Sequence, residues 1–181
     1  MIKLIACDMD GTLLDSQKRL PVDFSEVLAA LKEKGALFAV ASGRQYAALR
    51  RDFEPYIEDV LFICENGALV MQRDERLLID PLDPRDLYAI VTATRELRGV
   101  YPVVCRAGVA LIEKTASPEF IRNTCMYYPS VQVVDDLTEY CNLGDVCKVA
   151  FYDEYDAQTH ELPELQKKLA PKLAVILSGE H

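Results

Sequence analysis

The sequence predicts an α/β protein: a doubly wound, Rossmann-like parallel core followed by an α+β cap domain. Three observations carry that prediction. Up to about residue 80, short apolar runs alternate with segments of helical periodicity, the order that builds a parallel sheet with crossover helices. The first run ends in Asp8-Met9-Asp10-Gly11-Thr12, and open α/β sheets bind ligands at the carboxyl ends of their strands. The pattern then changes after Asp80-Pro81-Leu82-Asp83-Pro84, where two prolines and two aspartates in five residues mark a boundary. This places a core over residues 1–82 and a second domain over 83–181.

Taken in order, Lys3–Cys7 holds a short continuous apolar run, the mark of a parallel strand covered on both faces. Val22–Lys34 carries Phe24, Val27, Leu28 and Leu31 at helical spacing, and Gly35 stops the helix. Leu37–Ala41 reads as a second buried strand, with a helix opening at Ser42-Gly43-Arg44 and running to about Phe53. Val60–Cys64 is a third strand, followed by Glu65-Asn66-Gly67-Ala68 and a hairpin around Arg73-Asp74-Glu75. Beyond the boundary, helices are predicted at Arg85–Leu97, Pro118–Met126 and Glu161–Leu169. Strands are predicted at Tyr101–Cys105, Val109–Glu113, Val131–Val134, Asp145–Tyr152 and Leu173–Leu177. Paired strands with intervening helices suggest a sheet with its helices on one face.

Composition narrows the function classes. A net charge of −9 argues against a nucleic-acid or anionic-membrane surface. No apolar stretch approaches a membrane span, and Asp8 and Asp10 interrupt the only early apolar run that could act as a leader. The six cysteines form no CxxC pair, and most sit in apolar runs (Cys7, Cys64, Cys105, Cys147), as reduced thiols of a cytoplasmic protein do.

Asp8 and Asp10 are the residues that point to chemistry. On a continuing strand, residues two apart project on one side about 7 Å apart. Two such carboxylates repel unless a proton or a cation lies between them, and Mg²⁺ suits oxygen ligands. An aspartate there can also attack phosphorus. A bare pair of acids would otherwise be only the solvated end of a strand. Ser42 and Gly43 offer a hydroxyl and amides for an anion, or an ordinary helix cap. Asn66 is either part of a ligand pocket or a plain Asn-Gly turn. His160 and His181 are isolated and read as surface residues. Cys141 and Cys147 lack zinc spacing, and Tyr127-Tyr128 read as ordinary core or surface aromatics.

With DMDGTLL after a buried strand, the chain resembles the haloacid dehalogenase-like hydrolases, whose first motif is DxDGTLL. Ser42-Gly43-Arg44 resembles the second motif, and Glu65-Asn66-Gly67-Ala68 the ENGA element of the Cof-type sugar-phosphatase branch. The resemblance implies Mg²⁺-dependent hydrolysis of a small phosphorylated metabolite, a sugar-phosphate-like monoester, through an aspartyl-phosphate. Asp8 would be nucleophile and metal ligand. Asp10 would be the general acid/base and would also bind the metal, through its carbonyl. The Met9 amide, Ser42, Gly43, Asn66 and, less firmly placed, Arg44 would hold the phosphate. The segment after residue 82 would be the branch's α/β cap.

The chain departs from the pattern after the cap. A lysine and a GDxxND-like acidic loop are expected there and do not occur, because Asp135-Asp136 and Gly144-Asp145 come too early. The expectation is therefore a C-terminally truncated core, impaired in activity, with an uncovered sheet edge through which copies could associate. A non-catalytic binding or scaffold protein is the alternative. A phosphomutase is further off, as is a receiver domain, which carries its phosphorylated aspartate after the third strand, where this chain has Cys64-Glu65-Asn66.

Overall fold

The computed structural model describes residues 2–178, so the reading of His181 lies outside the described residues. The chain divides into two units, Met1–Asp80 and Pro81–His181. Among the described residues no helix is long and apolar enough to cross a membrane.

In the first unit the strands are β1 (Leu4–Asp8), β2 (Leu37–Ala41), β3 (Val60–Cys64), β4 (Leu69–Gln72) and β5 (Glu75–Ile79), in that spatial order. β1, β2 and β3 run parallel, joined by the crossover helices α1 (Phe24–Glu33) and α2 (Tyr46–Asp52). β4 and β5 form an antiparallel hairpin on the third strand. An aromatic cluster fills the space between sheet and helices. Phe24 meets Phe38, Phe53 and Tyr56 edge-on, and Phe62 meets Phe53 and Tyr46 in the same way. Edge-to-face contacts of this kind add to plain apolar burial.

Two expectations need correcting here. The first strand is not covered on both faces: Leu4 is 48% exposed and Ile5 37%. The run looked buried because apolar content alone cannot reveal whether a strand has neighbours on both sides. Among the described residues β1 pairs only with β2, so it is an edge. The second helix also starts later than expected, at Tyr46, with Gln45 before its first turn. Ser42-Gly43-Arg44 is therefore a loop between strand and helix.

The second unit carries a four-stranded sheet in the order β8-β7-β6-β9. These strands are β6 (Val100–Arg106), β7 (Ala110–Glu113), β8 (Val131–Val134) and β9 (Val146–Asp153). Its helices are α3 (Pro84–Thr94), α4 (Pro118–Tyr127) and α5 (Glu161–Leu169). Asp83 and Ser117 cap α3 and α4 by accepting from the Arg85 and Phe120 amides, with proline in each first turn. This is the start signal that the sequence carried.

Side-chain alternation along the strands splits this core in two. Val104 and Leu111 pack with Leu87 and Val91 of α3. Val103, Cys105, Ala110 and Ile112 point the other way and pack with Phe120 of α4. Helices thus cover both faces, not one. The strand expected at Leu173–Leu177 does not form. Leu173 and Val175 instead pack against the cluster of Ile90 and Ala93 on α3 with Leu165 and Leu169 on α5, and Gln166 Nε2 donates to the Val175 carbonyl. Leu173 and Val175 thus cover a helix pair and pair with no strand, while Ile176 and Leu177 remain exposed.

Candidate active site

Parallel pairing assembles the site. The register sets Asp8 beside Ala41, and Ala41 in turn beside Ile63. Everything that follows these residues therefore emerges at one end of the sheet. Immediately after Asp8 the chain makes a single wide turn, Met9–Leu13. Met9 is fully buried and anchors that turn, while Gly11 sits at φ +79°, a conformation that glycine adopts without the Cβ penalty. Thr12 Oγ1 donates to Asp8 Oδ2 at 3.3 Å, tying the side chain of the last strand residue to the turn.

Asp10 is engaged from two directions. Arg44 Nη2 reaches both of its carboxylate oxygens, at 2.8 and 3.0 Å. Lys18 Nζ lies 2.6 Å from Asp10 Oδ1. Burial alone would raise the Asp10 pKa, but hydrogen bonds and charge from Lys18 and Arg44 outweigh it and hold the group below the usual carboxylate range. Arg44 also meets Asp52 at 3.2 Å.

The other expected residues lie on the adjoining loops. The Ser42 amide donates to the Ile63 carbonyl, and Ser42 Oγ accepts from the Arg44 amide at 3.2 Å. Its own hydroxyl proton remains available to a ligand. The Asn66 amide donates to the Ser42 carbonyl, and the Glu65 amide to that of Arg44, so the second and third loops are stitched together. Glu65 and Asn66 adopt left-handed backbone, at φ +51° and +59°.

Gly43 is constrained by contact, not by φ. A Cβ built there would lie 2.6 Å from Asn66 Oδ1. Gly43→Ala should cost little stability, because the obstructing atom is the end of a side chain, but it should drive the Asn66 amide away. The check is the Asn66 side-chain NMR resonance together with phosphate affinity in a double-mutant cycle. Once Asn66→Ala is present, Gly43→Ala should have no further effect.

The structure thus brings Asp8, Met9, Asp10, Ser42, Gly43, Arg44 and Asn66 to one end of one sheet. Sequence reasoning missed Lys18. Its only signal was a lysine in the polar stretch after the first motif, which any surface turn would also carry. As to a metal, the Asp8 carboxylate and the Asp10 main-chain carbonyl are hard oxygens of the type Mg²⁺ takes. No group of three or more His, Cys, Asp or Glu side chains suited to a metal occurs among the described residues. A Mg²⁺ held by these two donors would keep several waters and substrate oxygens, as that ion commonly does. In the second unit, His160 is not isolated: its Nδ1 lies 2.7 Å from a buried Asp153 oxygen.

Comparisons with known proteins identify the family. A model of the haloacid dehalogenase-like hydrolases matches residues 5–181. The 5-amino-6-(5-phospho-D-ribitylamino)uracil phosphatase YbjI of Escherichia coli is 29% identical over 99% of this chain and 65% of its own length. The Bacillus subtilis phosphatase YwpJ is 30% identical over 50% of this chain and 32% of its own. The chain therefore spans less than two thirds of the curated relatives it matches. A crystal structure from Eubacterium rectale superposes with a TM-score of 0.83 at 25% identity, over 99% of this chain and 68% of that one.

Proposed function

The chain belongs to the haloacid dehalogenase-like hydrolase family, and on that basis we propose that its first unit carries the nucleophile end of a phosphomonoesterase site. The substrate class is a small phosphorylated metabolite. The phosphatases named above support this class, and YbjI is itself named for a phosphorylated sugar-alcohol derivative. One observation carries the reading. The in-register parallel pairing of β1 and β2 sets Asp8 and Asp10 against the loop of Ser42, Gly43 and Arg44.

In the proposed reaction an Asp8 carboxylate oxygen attacks phosphorus and the bond to the leaving oxygen breaks. Asp10 gives that oxygen its proton, which requires that the phosphoryl group draw off the cations that otherwise keep this carboxylate ionised. Asp10 then takes a proton from water as the water attacks the aspartyl-phosphate, which releases phosphate and regenerates Asp8. The Met9 amide, the Ser42 hydroxyl, the Gly43 amide, Asn66 and Arg44 hold the phosphoryl oxygens. Mg²⁺ held by Asp8 and the Asp10 carbonyl would supply positive charge against the anionic nucleophile and phosphate.

Ser42 gives a direct test. Ser42→Ala removes one hydrogen bond to a charged ligand, worth ~1.5–3 kcal/mol, so vanadate inhibition should weaken by about one to two decades. An unchanged inhibition constant would leave Ser42 with its local role of accepting from Arg44 alone. A second reading, binding without turnover, draws on the lack of a three-member metal group among the described residues. Hydrolysis of p-nitrophenyl phosphate decides between the two.

A further inference from the structure

We propose that Lys18 is a substrate-facing cation of this site, a phosphate-anchoring residue that shares Asp10 with Arg44; the inference rests on the phosphomonoesterase reading above. Asp10 already has one counter-ion in Arg44. Arg44 already donates to both of its oxygens from one nitrogen, Nη2. Arg44 in turn divides its charge between Asp10 and Asp52. The Lys18 ammonium makes one hydrogen bond among the described residues, to Asp10 Oδ1 at 2.6 Å. Two of its three N–H donors are thus left for a ligand, and its side chain is 63% exposed.

The backbone is built to deliver that ammonium. Lys18 sits at φ +60°, in the left-handed region where side-chain-bearing residues are uncommon and where a strained residue persists only if its surroundings hold it. Asp15 supplies the hold. Its Oδ1 accepts from the Gln17 and Arg19 amides at 2.8 and 2.9 Å, and its Oδ2 accepts from Arg19 Nε at 2.9 Å. The main chain closes the same turn, with the Lys18 amide donating to the Asp15 carbonyl and the Asp15 amide to the Arg19 carbonyl. Here the closure points a lysine at the carboxylate expected to serve the leaving oxygen. A phosphate dianion approaching Asp8 and Asp10 meets two carboxylates, so a cation held on Asp10 lowers the repulsion that the ligand must overcome.

The test is calorimetric binding of tungstate, as a phosphate mimic, to the chain and to Lys18→Met, Lys18→Arg and Lys32→Met. Lys32 pairs with Asp59 elsewhere on this unit and serves as the control. Lys18→Met should weaken binding about tenfold, with the melting temperature unchanged, as expected for one charge-assisted contact. Lys18→Arg should restore most of the affinity, and Lys32→Met should leave it unaltered. If Lys18→Met binds as tightly as wild type while Ser42→Ala binds less well, the inference is overturned and the phosphomonoesterase reading stands. A fall in melting temperature together with loss of binding in both Lys18 variants would make Lys18 a structural part of the turn, and would also overturn it. If the wild-type chain takes up no tungstate, both readings fall.

Discussion

Asp8→Asn is expected to abolish phosphatase activity while leaving the fold and anion binding in place. The exchange removes the attacking charge but almost no volume, at the end of a strand, where among the described residues the Asp8 carboxylate has one hydrogen-bond partner, the Thr12 hydroxyl. Losing a covalent nucleophile outright costs more than losing one stabilising contact, so the rate should fall by at least about 10³-fold. Binding should move the other way. With one negative charge gone, tungstate should bind as tightly as to wild type or more tightly. The measurements are Mg²⁺-dependent hydrolysis of several sugar phosphates and calorimetry, made on the chain and on the longest reading frame containing it. Near-wild-type turnover by Asp8→Asn would remove Asp8 from the nucleophile role.

Glu161→Gln is expected to stabilise the second unit near neutral pH. Glu161 is only 8% exposed, and its Oε2 finds no hydrogen-bond partner among the described residues. Burial is the main cause that pushes its carboxyl up to about 7, with the charge of Asp153 adding and that of His160 opposing. A carboxyl raised in this way keeps its proton in the folded state after the unfolded chain has lost it. Stability is therefore full below about pH 4.5 and falls as pH rises from there to about 7, above which the penalty is constant. The penalty reaches ~3 kcal/mol at most. The glutamine variant carries no charge to bury, so its advantage in melting temperature should be absent at pH 4, grow between pH 5 and 7, and level off above. A difference independent of pH would mean that Glu161 ionises as an exposed carboxylate does. His160, against the Asp153 carboxylate and edge-on to Tyr155 at 5.0 Å between ring centroids, belongs to the same cluster.

The sequence by itself determined the alternation of strands and helices in the first unit. It also placed a helix from Arg85, one residue inside the observed start of α3, and set the position of the acids, Ser42 and Asn66 at successive strand ends. These features are local: period-two and period-3.6 burial, proline and glycine placement, and cap residues act within a few positions of the chain, so they can be read from it. An uncovered edge was expected of the shortened core, but only the tertiary structure decided that among the described residues it falls on β1, because a strand's pairing depends on neighbours that its own residues do not encode. Likewise Leu173 and Val175 went to cover α3 and α5 while Ile176 and Leu177 stayed exposed, since an apolar run records the need for cover and not its source. The contacts that define the site were invisible for the same reason. Arg44 meets Asp10 across 34 positions, Gly43 is required by an asparagine 23 residues later, and Lys18 reaches back through a left-handed turn. Each depends on where folding brings distant atoms together, and a linear pattern carries no term for that distance.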